Sequence, residues 1–79
     1  MVAEGARNLA FAVILRAARD LAGCRTPPHH RATARAFLEE AARSEGWGAA
    51  VFALAGLGAG DAAYLLARAE ARERIRQAS

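Results

Sequence analysis

The sequence predicts an all-α protein, a compact bundle of four short helices forming one domain over residues 1–79. Three observations carry this. Apolar residues recur at helical spacing over long stretches, as in the segment around Phe11, Ile14 and Leu15. Alanine, the strongest helix former, supplies much of the apolar composition. Glycine and proline gather at 23–30, at Gly46 and at 56–60, which divides the chain into four segments joined by short connections.

The first helix is expected over 4–22. Phe11, Ile14, Leu15, Ala18, Leu21 and Ala22 share one face, and Arg16, Arg19 and Asp20 lie mostly away from it. Leu9 and Val13 point to nearly the opposite side, so the first half of the helix is apolar almost all round. Either this helix runs through the middle of the fold, or the side carrying Leu9 and Val13 waits for a partner. Gly23 stands where a C′ cap is wanted.

Residues 23–30, GCRTPPHH, read as a loop, because two consecutive prolines end a helix and favour extended backbone before them. A second helix follows over about 29–44. Ala34, Phe37, Leu38 and Ala41 form its inward stripe, with Arg35–Glu39 and Glu39–Arg43 as i,i+4 ion pairs on the solvent side and Gly46 as its C-terminal cap. The segment 47–55, WGAAVFALA, is short and wholly apolar; its alanines favour helix over strand, and a helix apolar on all sides is expected at the centre. GLGAG at 56–60 is then a turn, and Asp61 an N-cap for a last helix reaching about 76. Ala62, Leu65, Leu66 and Ala69 face inward on it, and Arg68, Arg72, Arg74 and Arg76 crowd its end, where the helix dipole favours cations. Phe11, Phe37, Trp47, Phe52 and Tyr64 are expected as core anchors, because an alanine-rich core needs their area.

Composition narrows the function classes. At 54% hydrophobic and 24% charged residues the 79-residue chain is globular rather than disordered. Its net charge of +3 comes from arginine alone and is spread along the chain, so no basic tail or arm is indicated. The single cysteine, Cys24, excludes an internal disulfide and fits a reducing, cytoplasmic setting in a host cell. No stretch approaches the ~18 apolar residues of a membrane span, so no membrane partner is expected. LAGC at 21–24 has the look of a lipoprotein cleavage site. The charges at Arg16, Arg19 and Asp20 interrupt the apolar run before it, however, and suit the polar side of an amphipathic helix.

Enzymatic constellations are missing. Cys24, His29 and His30 are too few, and too crowded, for a structural zinc site. A Cys24–His29 thiolate pair has nothing in the sequence to orient the histidine. Glu39 and Glu40 point about 100° apart on a helix, so they do not flank one bond and belong instead to a solvated face. GLGAG lacks the preceding strand and the third glycine of a dinucleotide loop. The expectation is a non-enzymatic protein without metal or cofactor.

Binding is the stronger expectation. WGAAVFALAGLGAGDAAYLLARA has the outline of a helix-turn-helix, but Phe52 stands where the crossing wants a small residue, and DAAYLL offers few groups that read base edges. The most polarised stretch is elsewhere. Arg25, His29, His30, Arg31 and Arg35 follow one another without an acid and predict a cationic patch that meets phosphates or an acidic protein surface. With Leu9 and Val13 these are the candidate partner-binding residues.

HRATARAFLEE, with its Phe37-Leu38 pair, and the later FALAGLGAGDAAYLLARA, with Ala55-Gly56-Leu57, resemble small all-helical proteins encoded in prophages of GC-rich bacteria. This chain has Gly58-Ala59-Gly60-Asp61 and Tyr64-Leu65 where that pattern carries Asp-Pro and Val-Arg. The resemblance covers about 9–70. It implies a phage-type interaction protein, and among such proteins the anti-CRISPR inhibitors are similar in size and in lacking a catalytic constellation. The implied partner is a host protein or ribonucleoprotein complex whose access to target DNA is blocked, with possible nucleic-acid contact. A basic chain does not imitate a phosphate backbone, so such inhibition works by covering a surface. The alternative is a helix-turn-helix-like DNA-binding regulator or a packaging adaptor, and a third class is a minimal enzyme using Cys24 and His29.

Overall fold

The structure, a computed structural model, describes residues 4–23 and 25–78. It is the expected four-helix bundle: α1 (Glu4–Ala22), α2 (Pro28–Ala42), α3 (Gly46–Leu54) and α4 (Ala59–Ala78). α2 packs against each of the other three helices and is the hub of the fold. Neither of the two helices that read as apolar all round takes that place. α3 buries Gly48, Val51 and Phe52 and leaves Trp47 and Leu54 in solvent. α1 turns Ala10, Ile14, Ala17 and Leu21 inward, at i, i+4, i+7 and i+11. Phe11 and Leu15, each one step past a buried residue and so about 100° further round the helix, are exposed.

The physical reason lies in the core itself. Among the described residues seven of its twelve buried apolar residues are alanines, and only Leu38 and Phe52 are large and fully buried. Alanine stripes let helices approach closely, and a close seam has no room for Phe11, Trp47 or Tyr64. Phe52 and the half-buried Phe37 remain as aromatic anchors, with ring centroids 5.9 Å apart.

The connections are made differently from expectation in four places. α2 starts at the second proline, Pro28, because Pro27 is already extended (φ −55°, ψ 145°) and a proline at N1 loses no helical hydrogen bond. α2 ends in a Schellman turn whose left-handed residue is Ser44 (φ 57°), with Glu45 N–H donating to Glu40 C=O and Ser44 N–H to Ala41 C=O. Gly46, also at positive φ, begins α3 rather than capping α2. α3 ends in a second Schellman turn around Gly56 (φ 80°), closed by the bond from Leu57 N–H to Phe52 C=O at 2.8 Å. Asp61 is not the N-cap of α4 but sits inside its first turn, where its Oδ2 accepts the Gly58 N–H at 2.8 Å, the reach-back half of a capping box. Gly23 is likewise not a left-handed cap, since positive φ among the described residues is confined to Ser44, Gly46 and Gly56. The end of α1 is tied instead by Arg31, which donates to the Gly23 carbonyl at 2.6 Å.

The expected ion pairs along α2 do not form. Arg35 instead reaches Glu70 (3.7 Å) and Glu73 (3.5 Å) on α4, and Arg43 pairs with Glu45 at 3.2 Å within the turn that joins α2 to α3. No single helix among the described residues is long and apolar enough to cross a membrane.

Candidate functional site

Folding withdraws two of the five side chains of the cationic patch expected over 25–35. Arg25, His29 and His30 are exposed, the two imidazoles stacked edge-on with centroids 4.2 Å apart in the first turn of α2. Arg31 is half-buried and spent on the Gly23 carbonyl. Arg35 is held between α2 and α4 by its two glutamates. Of the five side chains expected to face a partner, three are exposed. Cys24 lies outside the described residues, so a Cys24–His29 pair is not placed. Among the described residues no three His, Cys, Asp or Glu side chains gather as metal ligands.

The Leu9 and Val13 side of α1 fares differently. Leu9 is 68% exposed and Val13 36%, so the reading of α1 as a helix buried through the middle does not hold. Val13 lines an open groove of about 520 Å³ between α1 and α2, floored by Ala17, Ala34 and Phe37 and walled by Trp47 from α3. Trp47 is 67% exposed. Its position is fixed from below: Glu40 Oε1 accepts the Gly48 N–H at 3.3 Å, which gives the N-terminus of α3 the cap its own Glu45 side chain does not supply. A Cβ on Gly48 would run into the Phe37 carbonyl, so glycine is what lets α3 lie this close to α2. The groove rim is mixed in charge, with the Arg16–Asp20 pair, His30 and Glu40 around it.

Sequence reasoning assigns Trp47 to the core and Glu40 to a solvated face, and the structure corrects both. The missed signal for Trp47 is periodic: Gly48, Val51, Phe52 and Ala55 complete the inward face of α3, and Trp47 lies about 90° from the centre of that face. For Glu40 no sequence signal exists, because its partner is eight positions away in another helix.

A second, smaller groove of about 220 Å³ runs between α1 and α4. Leu15, Ala18 and Leu65 line it, and Arg19, Arg68 and Arg72 surround it. Arg68 donates to the Tyr64 hydroxyl at 3.0 Å with its guanidinium 5.8 Å from the ring centroid, and that hydrogen bond holds the guanidinium pKa above its ordinary value.

The helix-turn-helix outline is met in direction but not in reading groups. The chain turns by 109° between α3 and α4, within the range of that motif. The first turns of α4 expose Gly60, Asp61, Ala63 and Tyr64, and the Asp61 carboxylate is engaged with Gly58. Comparison of the chain with known protein families, with curated proteins and with solved structures found no match.

Proposed function

We propose that this chain is a non-enzymatic interaction protein of phage type, an anti-CRISPR-like inhibitor that occupies a host effector complex inside the host cell and blocks its access to target DNA. The observation that carries the binding part of this reading is Trp47. A tryptophan left two-thirds in water beside an open apolar groove forgoes burial worth about 1.5–3 kcal/mol for a large apolar side chain. Tryptophan is also the residue type most enriched among side chains that dominate protein–protein binding energy. Leu9 and Val13 extend the same apolar surface along α1. The phage context and the inhibitor class rest on the resemblance in sequence alone.

The experiment is phage plating on a host with active CRISPR immunity that expresses the chain. Plating recovers with the wild-type protein. It is lost with Trp47→Ala and with Val13→Asp, while helical circular dichroism is unchanged. Absence of recovery together with no complex between the chain and purified effector proteins sinks the proposal.

The 109° turn around Gly56 favours one second reading, a DNA-binding regulator. It requires binding of bare duplex that falls steeply with added salt, and no complex with effector proteins.

A further inference from the structure

The groove between α1 and α4 is separate in residues and in chemistry from the Trp47 groove. We propose that it is a docking site for an acidic amphipathic helix of a partner protein.

α4 sorts its charges by face. Glu70 and Glu73 turn toward α2, where Arg35 takes both. Arg68 and Arg72 turn toward α1 and meet Arg19 across the groove, and no acidic side chain among the described residues lines it. Three guanidinium groups thus share a small concavity without a carboxylate, a like-charge arrangement that an anionic partner relieves. Tyr64 steadies one of the three, since its hydroxyl accepts from Arg68 and its ring stands beside the guanidinium. Less side-chain freedom is then given up when Arg68 meets a ligand.

The rest of the lining chooses among anions. Leu15, 53% exposed, and Leu65 form apolar walls, and Ala18, Ala22 and Ala69 leave space between the two helices. A phosphate backbone would leave Leu15 in water. A helix laid in the trough covers it with side chains at i, i+3, i+4 and i+7 and brings flanking carboxylates to the arginines. Guanidinium forks match carboxylates in bidentate geometry. The proposal does not rest on the function proposed for the Trp47 groove.

The test uses the full chain and a fluorescein-labelled helical peptide with one leucine stripe flanked by glutamates. The same peptide with lysine for glutamate, random-sequence duplex DNA and phosphatidylglycerol vesicles are the competitors. The acidic peptide binds and the lysine peptide does not. Arg19→Glu and Arg72→Glu each weaken binding about tenfold or more, the effect of removing one charge-assisted hydrogen bond, and the double reversal accepts the lysine peptide instead. Leu15→Asp abolishes binding with circular dichroism unchanged, as expected for an exposed side chain, and Trp47→Ala leaves it intact. The proposal is overturned if duplex DNA or vesicles bind as tightly as the acidic peptide. It is equally overturned if the acidic peptide does not bind, if charge reversal leaves its affinity unchanged, or if Trp47→Ala abolishes its binding.

Discussion

At Gly48 the backbone of α3 comes so close to α2 that an added Cβ meets the Phe37 carbonyl and stands 3.0 Å from the Ala41 nitrogen. Both neighbours are backbone atoms of a packed helix and do not yield as a flexible side-chain end does. Gly48→Ala is therefore expected to destabilise the fold by about 2–3 kcal/mol, the upper range for overpacking, even though alanine is the better helix former by ~1 kcal/mol. Thermal unfolding followed by circular dichroism checks this; an unchanged or raised Tm contradicts the close approach. Glycine content alone marks seven positions of freedom in this chain. Only the packing of α3 on α2 shows that this glycine is needed for space rather than for an unusual φ.

Between elements, Arg35 shows how one side chain changes meaning on folding. In the sequence it closes a basic run and is offered to a partner. In the structure it joins α2 to α4 through Glu70 and Glu73. All three side chains keep about a third or more of their surface near solvent, at 32%, 52% and 41% exposed, so screening limits the contribution. Arg35→Ala is expected to cost about 0.5–1 kcal/mol, with the loss shrinking as salt is added. Urea unfolding at low and high ionic strength measures it. A variant as stable as wild type at low salt would return Arg35 to the pool of free surface charges. Helix α3 is set in the same way, by the Glu40 carboxylate reaching over from α2 to its first turn. The element that carries Trp47 is thus oriented by a residue that sequence reasoning places on a solvated face.

As a whole molecule, the bundle has few large buried groups. Among the described residues Leu38 and Phe52 are the two large side chains fully buried, and the remaining core is mostly alanine with Ile14, Leu21 and Val51. Phe52 also holds Phe37, the floor of the Trp47 groove, through their ring contact, and its carbonyl closes the turn into α4. Phe52→Ala is expected to cost about 3–5 kcal/mol, a large fraction of what a domain this size has to spare. Chemical denaturation should show a midpoint far below wild type or no cooperative transition, and a loss under ~1 kcal/mol would place the core elsewhere. α4 is about 30 Å long by helix geometry and extends a body measuring 47 × 21 × 17 Å. Much of its surface is consequently free to display Tyr64, Arg68 and Arg72.

The number of helices, their order and their ends to within about three residues are legible in the sequence, the start of α4 being the end furthest from its expected place. Those features are local: the apolar period, the Pro27-Pro28 pair, and the glycines near 46 and 56 act over one helical turn. Leu9 and Val13 are legible too, as a side of α1 with one apolar face too many. Tertiary structure alone decides which face of each helix turns inward, because alanine seams draw helices too close to admit the larger side chains that hydrophobicity ranks first. It also decides the fate of the charges. Arg31 and Arg35 are taken up by partners in other elements, while Arg19, Arg68 and Arg72, scattered over two helices, are brought round one groove. Coulombic and steric effects depend on distances through space, and those exist only once the helices have crossed.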